Sequence, residues 1–360
     1  MDFAEFEGRR ERVVEGLAER KIDALLVSSA PNVRYLSGFT GSNGNLLIWR
    51  EGAILFTDPR YDLRAKEEVN CRVTVTRRPL VFDVVERIGR LKLRHIGYEQ
   101  TRMTCDAFEA LKSRLPARAA LVPIAGWMEE LRSVKSDAEL ALIRKSVETT
   151  SRAFELAVAR LKAGMSERDL AAELEYRMRR QGAEKPAFDT IVAAGTRTAL
   201  PHSEPSSARL EKGALVMVDM GAIQEGYSSD MTRMLHLGAP RSRVKRIYGA
   251  VLEAQLAALD AVRGGVQAAR VHQAAVRVLK SYGLDRAFVH STGHGLGLEI
   301  HEAPRIGKNS KTRLEQGMAI TIEPGVYLEG LGGVRIEDTV VVTSWGCEIL
   351  TPTTKELRVV

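Results

Sequence analysis

The first 120 residues alternate helical and strand patterns of hydrophobic and polar positions. Residues 3–20 set apolar positions at helical spacing among Arg and Glu and predict an amphipathic helix. DALLVSS (23–29) is a short apolar run that predicts a strand. NLLIW (45–49) and AILFT (53–57) flank the turn Arg50-Glu51-Gly52 and predict a hairpin. Further strands are expected at 71–75 and 94–98, with helices over 81–91 and 104–114. Together these describe a small α/β domain closing near residue 122.

Pro123 to Trp127 marks a boundary, giving domains 1–125 and 126–360. Beyond it a long helix is announced by Ser136 and Glu139, a capping-box pair. Ser166 and Asp169 open a second helix that runs to about Gln181. Strands follow, including 188–194 and 214–220, then helices over 241–262 and 266–282, then strands again. Two helices followed by strands, repeated once, is a duplication. The expected fold class is mixed α/β (α+β), with an internally duplicated second domain.

The duplication is also visible residue by residue. RLEKGALVMVDMG (209–221) returns 104 positions later as RLEQGMAITIEPG (313–325), with five of thirteen positions identical. Asp219 ends the apolar run in one copy and Glu323 in the other. A second acid follows each, Asp230 in SSDMTR and Glu337 in RIEDTV, and both open the pattern acid-x-Thr. A pseudo-twofold would bring all four carboxylates around one point. Four such groups repel strongly unless cations hold them. Any one of them alone reads as an ordinary strand-end or turn acid; the shared register argues otherwise.

His294, set between glycines in STGHGLGLEIHEAP, joins the acids, and glycines beside a ligand allow close approach. Asp219, Asp230, His294, Glu323 and Glu337 offer oxygen and nitrogen donors and no sulfur. That set suits two divalent ions such as Mn(II), Co(II), Fe(II) or Zn(II), with Mn(II) preferred. By the duplication, Asp219 and Glu323 are terminal ligands of separate metals, and Asp230 and Glu337 bridge them. His294 belongs with the metal of Glu323. Two metals about 3.5–4 Å apart activate water and polarise a carbonyl, which points to hydrolysis.

Composition narrows the remaining classes. The chain has 360 residues and a net charge of +7, but Lys and Arg are interspersed with Glu along helices. Such runs are solvated helix faces, so no nucleic-acid partner is expected. No apolar stretch approaches about 18 residues, and the N-terminus has no apolar signal core, so no membrane span or secretion is expected. Three scattered cysteines (Cys71, Cys105, Cys347) without CxxC spacing fit a reducing compartment, so the expected location is the cytoplasm.

VDMG, SDMTR, GHGLG, IEPG and RIED, in that order, resemble the ligand motifs of the pita-bread metallopeptidases, over roughly residues 130–350. That family includes methionine aminopeptidase, aminopeptidase P and prolidase. The resemblance implies that Glu323 also serves as general base or proton shuttle for the nucleophilic hydroxide. It implies that His202, in LPHSEP, and His301 contact the substrate or the tetrahedral intermediate. Arg335 is similar to an arginine of the proline-specific branch. NVRYLSGFTGSNG (32–44) and FTDPRYDLRA (56–65) look like the creatinase-like N-terminal domain of Xaa-Pro peptidases, which methionine aminopeptidases of this fold usually lack. In those relatives that domain, often from a partner subunit, walls the pocket; a homodimer is implied, and Arg60 and Tyr61 become candidate substrate contacts. His95, His236, His272 and His290 fit no motif.

The expected activity is therefore a dinuclear Xaa-Pro aminopeptidase acting on proline-containing peptides. The alternative is a prolidase restricted to Xaa-Pro dipeptides. A non-catalytic pita-bread binding module is less consistent with five retained ligands.

Overall fold

Six short apolar segments in the first part of the chain pair into one mixed sheet, in a computed structural model that describes residues 2–162 and 164–360. The chain divides into two units, Met1–Leu131 and Arg132–Val360. In the first, helix α1 (Phe3–Glu19) is capped by the Asp2 side chain. Strand β1 (Ala24–Val27) is followed by α2 (Ala30–Ser37), the hairpin β2 (Gly44–Trp49) and β3 (Gly52–Thr57), and α3 (Asp62–Glu68). Then come β4 (Arg72–Val75), α4 (Leu80–Arg90), β5 (His95–Glu99), α5 (Cys105–Lys112) and β6 (Ala120–Ile124).

The strand order is β4-β3-β2-β1-β5-β6. β1 runs antiparallel to β2 and parallel to β5. Leu26, Leu47, Phe56, Val84, Ile88 and Ile96 fill the space between this sheet and α4 and α5. The pattern gave no sign of α2 or β6. α2 is only eight residues long and ends where Gly38 turns left-handed, with φ 82°.

Helix α6 (Trp127–Ser133) spans the division between the units. The second unit continues with α7 (Asp137–Val158) and α8 (Glu167–Arg180), both opened by the expected capping boxes. β7 (Lys185–Pro186), β8 (Ile191–Ala194), β9 (Leu215–Met220), β10 (Ala222–Gln224), β11 (Tyr227–Ser228) and β12 (Met231–His236) complete its first half. The second half holds α9 (Ser242–Ala261), α10 (Ala268–Ser281), β13 (Gly293–Gly295), β14 (Glu302–Ile306) and β15 (Ala319–Ile322). It closes with β16 (Gly325–Leu328), β17 (Gly332–Arg335), β18 (Asp338–Val342), β19 (Cys347–Ile349) and β20 (Arg358–Val359).

The duplication recurs in the hydrogen bonding. β8-β9-β12 in one sheet corresponds to β13-β15-β18 in the other. Arg209 donates to the Gly164 carbonyl as Arg313 does to Gly265. Gly213 and Gly317 hold equivalent left-handed positions, with φ 87° and 89°. A side chain at either would be strained, which accounts for identity at this position of the repeat. Each half has its own apolar core, one around Phe154, Leu174 and Val218, the other around Val251, Leu279 and Ile320. Among the described residues, no helix is long and apolar enough to cross a membrane.

Candidate metal centre

Strand ends deliver the acids. Asp219 lies near the end of β9 and Glu323 just after β15, while Asp230 and Glu337 immediately precede β12 and β18. Antiparallel pairing sets Asp219 opposite Thr232, and the Thr232 hydroxyl donates to Glu337 Oε2 at 2.8 Å. Reciprocally, the Thr339 hydroxyl donates to the Asp230 carbonyl at 2.9 Å. The two acid-x-Thr segments therefore hold each other across the pseudo-twofold.

His294 enters on β13. Its neighbours Gly293 and Gly295 admit the adjoining strands: a Cβ would lie 1.9 Å from the Thr321 carbonyl oxygen at the first and 2.0 Å from that of Ala303 at the second. The glycines thus serve backbone packing around the histidine. The ring Nδ1 lies 3.0 Å from the Gly295 carbonyl oxygen, which assigns the proton to Nδ1. The Nε2 lone pair then faces Glu323 Oε1 at 3.3 Å and Asp230 Oδ2 at 3.5 Å. Ligand atoms of Asp230, His294 and Glu337 all lie within 4.8 Å of one another.

Acceptors turned toward acceptors in a buried site are relieved by a cation or a proton between them. Asp219 Oδ1 and Glu337 Oε1 are buried with no hydrogen-bond partner among the described residues. Burial first, and then the neighbouring carboxylates, push Asp230 and Glu337 well above the ordinary carboxyl range. Burial lifts Glu323 to about 7, against the opposing effect of Arg335. Oxygen and imidazole donors of this kind fit divalent cations of hard to borderline character.

Arg335 places a guanidinium among these acids. It is 3% exposed, and its Nη2 donates to Asp219 Oδ2 at 2.6 Å. Its Nε donates to Thr232 at 3.0 Å and its Nη1 to Tyr327 at 2.6 Å. The Tyr327 hydroxyl in turn meets His290 Nε2 at 2.9 Å. His290 Nδ1 contacts the Ser291 carbonyl, so Nε2 is the acceptor, and burial and Arg335 hold this imidazole neutral with its pKa down at about 4.

A cavity of about 640 Å³ opens onto this cluster. His202, His301, Arg335 and all five proposed ligands line it. The His301 ring stands edge-on to His294, with centroids 4.5 Å apart. Arg60 and Tyr61 sit in the first unit, where Arg60 pairs with Asp58 and the Tyr61 hydroxyl lies 2.6 Å from Ser42 Oγ. Neither lines the cavity.

His290 and Arg305 also line the cavity, although neither stood out in the sequence. Arg305 pairs in register with His294 across β13 and β14. Its only sequence signal was its place on the strand following His301.

Residues 141–344 match metallopeptidase family M24, and residues 9–134 match the creatinase/prolidase N-terminal domain. The chain belongs to the M24 metallopeptidases, in their proline-specific pita-bread branch. It is 38% identical over 347 residues to a Xaa-Pro dipeptidase of Pyrococcus horikoshii, covering 96% of this chain and 97% of that protein. The structure of a Xaa-Pro dipeptidase from Bacillus anthracis superposes with a TM-score of 0.96 at 37% identity, covering 99% of this chain and 100% of that one. An X-Pro aminopeptidase from Thermotoga maritima gives 0.92 at 37% identity, covering 98% and 100%.

Proposed function

We propose that this chain is a Xaa-Pro dipeptidase that uses two divalent cations, Mn(II) first among them. This departs from the aminopeptidase expected from the sequence. Relatives named as dipeptidases support it, and the observation that carries it is Arg305. This side chain lines the cavity beside His294 and forms no hydrogen bond or ion pair among the described residues. A free guanidinium at that place suits the terminal carboxylate of a dipeptide, held by charge-assisted hydrogen bonds.

Asp219, Asp230, His294, Glu323 and Glu337 would hold the cations, with Asp230 and Glu337 shared. When bound, the cations would offset the excess negative charge, polarise the scissile carbonyl and make a water acidic enough to ionise near neutral pH.

The protein groups then divide the remaining work. Glu323 accepts the proton of the attacking water and returns it to the proline nitrogen as the C–N bond breaks. His202 and His301 donate to the carbonyl oxygen as it gains charge. Phe188, Ile191 and Ile300 present an apolar wall to the proline ring. Arg335 holds the Asp219 carboxylate aligned through its 2.6 Å hydrogen bond.

A Xaa-Pro aminopeptidase is the second reading, favoured by the likeness to the Thermotoga structure. Ala-Pro and Ala-Pro-Ala, offered in parallel to Mn(II)-loaded protein and followed by mass spectrometry, separate the two. Cleavage of the dipeptide alone is expected. Release of Pro-Ala from the tripeptide at a comparable rate would establish the aminopeptidase instead.

A further inference from the structure

The repeat that sets the acids in place is broken at two neighbouring positions. Thr232 corresponds to Thr339, so Arg233 corresponds to Val340 and Asp338 to Met231. Where each half has an apolar residue, the other has a charged one, and the two charges meet. Arg233 Nη2 lies 2.7 Å from Asp338 Oδ1, with the residues 2% and 0% exposed.

Arg233 does more than neutralise Asp338. Its Nη1 donates to the carbonyls of Thr232, at 3.0 Å, and of Glu337. Its Nε and Nη2 donate to the carbonyls of Thr354, at 2.9 Å, and Thr353, at 2.7 Å. Asp338 is also held by Lys355, at 2.7 Å, and by Gln255, at 2.8 Å. One buried guanidinium thus ties together the peptide of Glu337, the residue whose hydroxyl holds the Glu337 carboxylate, and the C-terminal segment.

Stability alone does not call for this arrangement. Replacing a buried ion pair with apolar side chains is often neutral or stabilising, and the repeat shows that Met and Val fit its equivalent positions. We infer that Arg233 is a positioning residue for the candidate cation centre: it fixes where Glu337 projects its carboxylate, and residues 353–355 brace it from behind. This inference rests on the proposed cation binding by Glu337.

The test compares wild-type protein with Arg233→Met, Arg233→Lys and Asp338→Asn after chelation. Mn(II) affinity is measured by titration calorimetry, the visible absorption of Co(II)-loaded protein reports coordination, and far-UV circular dichroism reports folding. The expected result is a loss of Mn(II) affinity of about tenfold or more in Arg233→Met. The Co(II) spectrum should change while the far-UV spectrum does not, and Arg233→Lys should recover part of the affinity. Should Arg233→Met fail to fold, a smaller loss that still exceeds twofold is expected in folded Arg233→Lys and Asp338→Asn. Affinities within twofold of wild type and an unchanged Co(II) spectrum in the folded variants would overturn the inference. Wild-type protein that binds neither ion would instead overturn the cation reading on which it rests.

Discussion

Thr232 donates its hydroxyl to Glu337 Oε2 at 2.8 Å, joining residues 105 positions apart at the meeting of the two halves. The Thr232 hydroxyl oxygen in turn accepts from Arg335 Nε at 3.0 Å. Thr232→Val keeps the shape and removes both bonds. Metal affinity should fall about 10- to 100-fold, as when other outer partners of a ligand are lost. The metal-free protein should lose about 1–3 kcal/mol of stability. Mn(II) titration and chemical denaturation check the two effects separately.

Glu337→Ala and Asp230→Ala remove the carboxylates proposed to be shared. Metal content should fall and turnover should vanish together in each. Unchanged turnover in Glu337→Ala would remove this site from consideration. His301→Ala should behave differently, with turnover lowered and metal content intact. Elemental analysis beside a dipeptide assay distinguishes the two patterns.

Arg305→Met addresses specificity. Losing a charge-assisted hydrogen bond costs about 1.5–3 kcal/mol, or roughly 10- to 100-fold in kcat/KM for Ala-Pro. Ala-prolinamide, which lacks the carboxylate, should be hydrolysed equally by variant and wild type. A parallel loss on both substrates would show that Arg305 serves the fold and leaves substrate choice to other groups.

Chelation should make stability depend on pH in a defined direction. Glu323 is raised from 4.5 to about 7, and Asp230 and Glu337 are raised well above the ordinary carboxyl range. Raised carboxyls favour the folded state at low pH, and that contribution is lost as pH rises from about 4.5 through 7 and beyond. Added Mn(II) should therefore raise the melting temperature more at pH 8 than at pH 5. Equal increments at both values would contradict the proposed ligands.

His290 runs the other way. Its value falls from 6.5 to about 4, so its contribution is fully present above pH 6.5 and is lost as pH falls toward 4. The difference is on the order of 3 kcal/mol. His290→Gln should flatten this part of the pH–stability curve of metal-free protein, measured by urea denaturation.

Much of the candidate centre was legible from local sequence because each acid occupies a strand end in a repeated register. Asp219 and Glu323 close equivalent apolar runs, and Asp230 and Glu337 open equivalent acid-x-Thr segments. Arg335 was placed near the site, but its partner Asp219 lies 116 residues away, and only folding reveals which acid it holds. His290 looked like a histidine without a motif; its role depends on Tyr327, 37 residues on in β16. Arg305 carries the proposed change from aminopeptidase to dipeptidase, and only its place on the strand after His301 marks it locally. Its importance comes from lying opposite His294.

By itself the sequence determined the two helix-and-strand halves, their internal repeat, the oxygen and nitrogen donor set and the need for cations. These follow from periodicity, capping residues and like charge, all of which act over a few residues or through a repeated register. Tertiary structure alone decided which hydroxyl holds which carboxylate, which acid Arg335 neutralises, and that Arg305 faces the cavity without a hydrogen bond or ion pair among the described residues. Those relationships depend on the pairing of strands far apart in the chain, where a shift of one residue turns a side chain to the opposite face of the sheet.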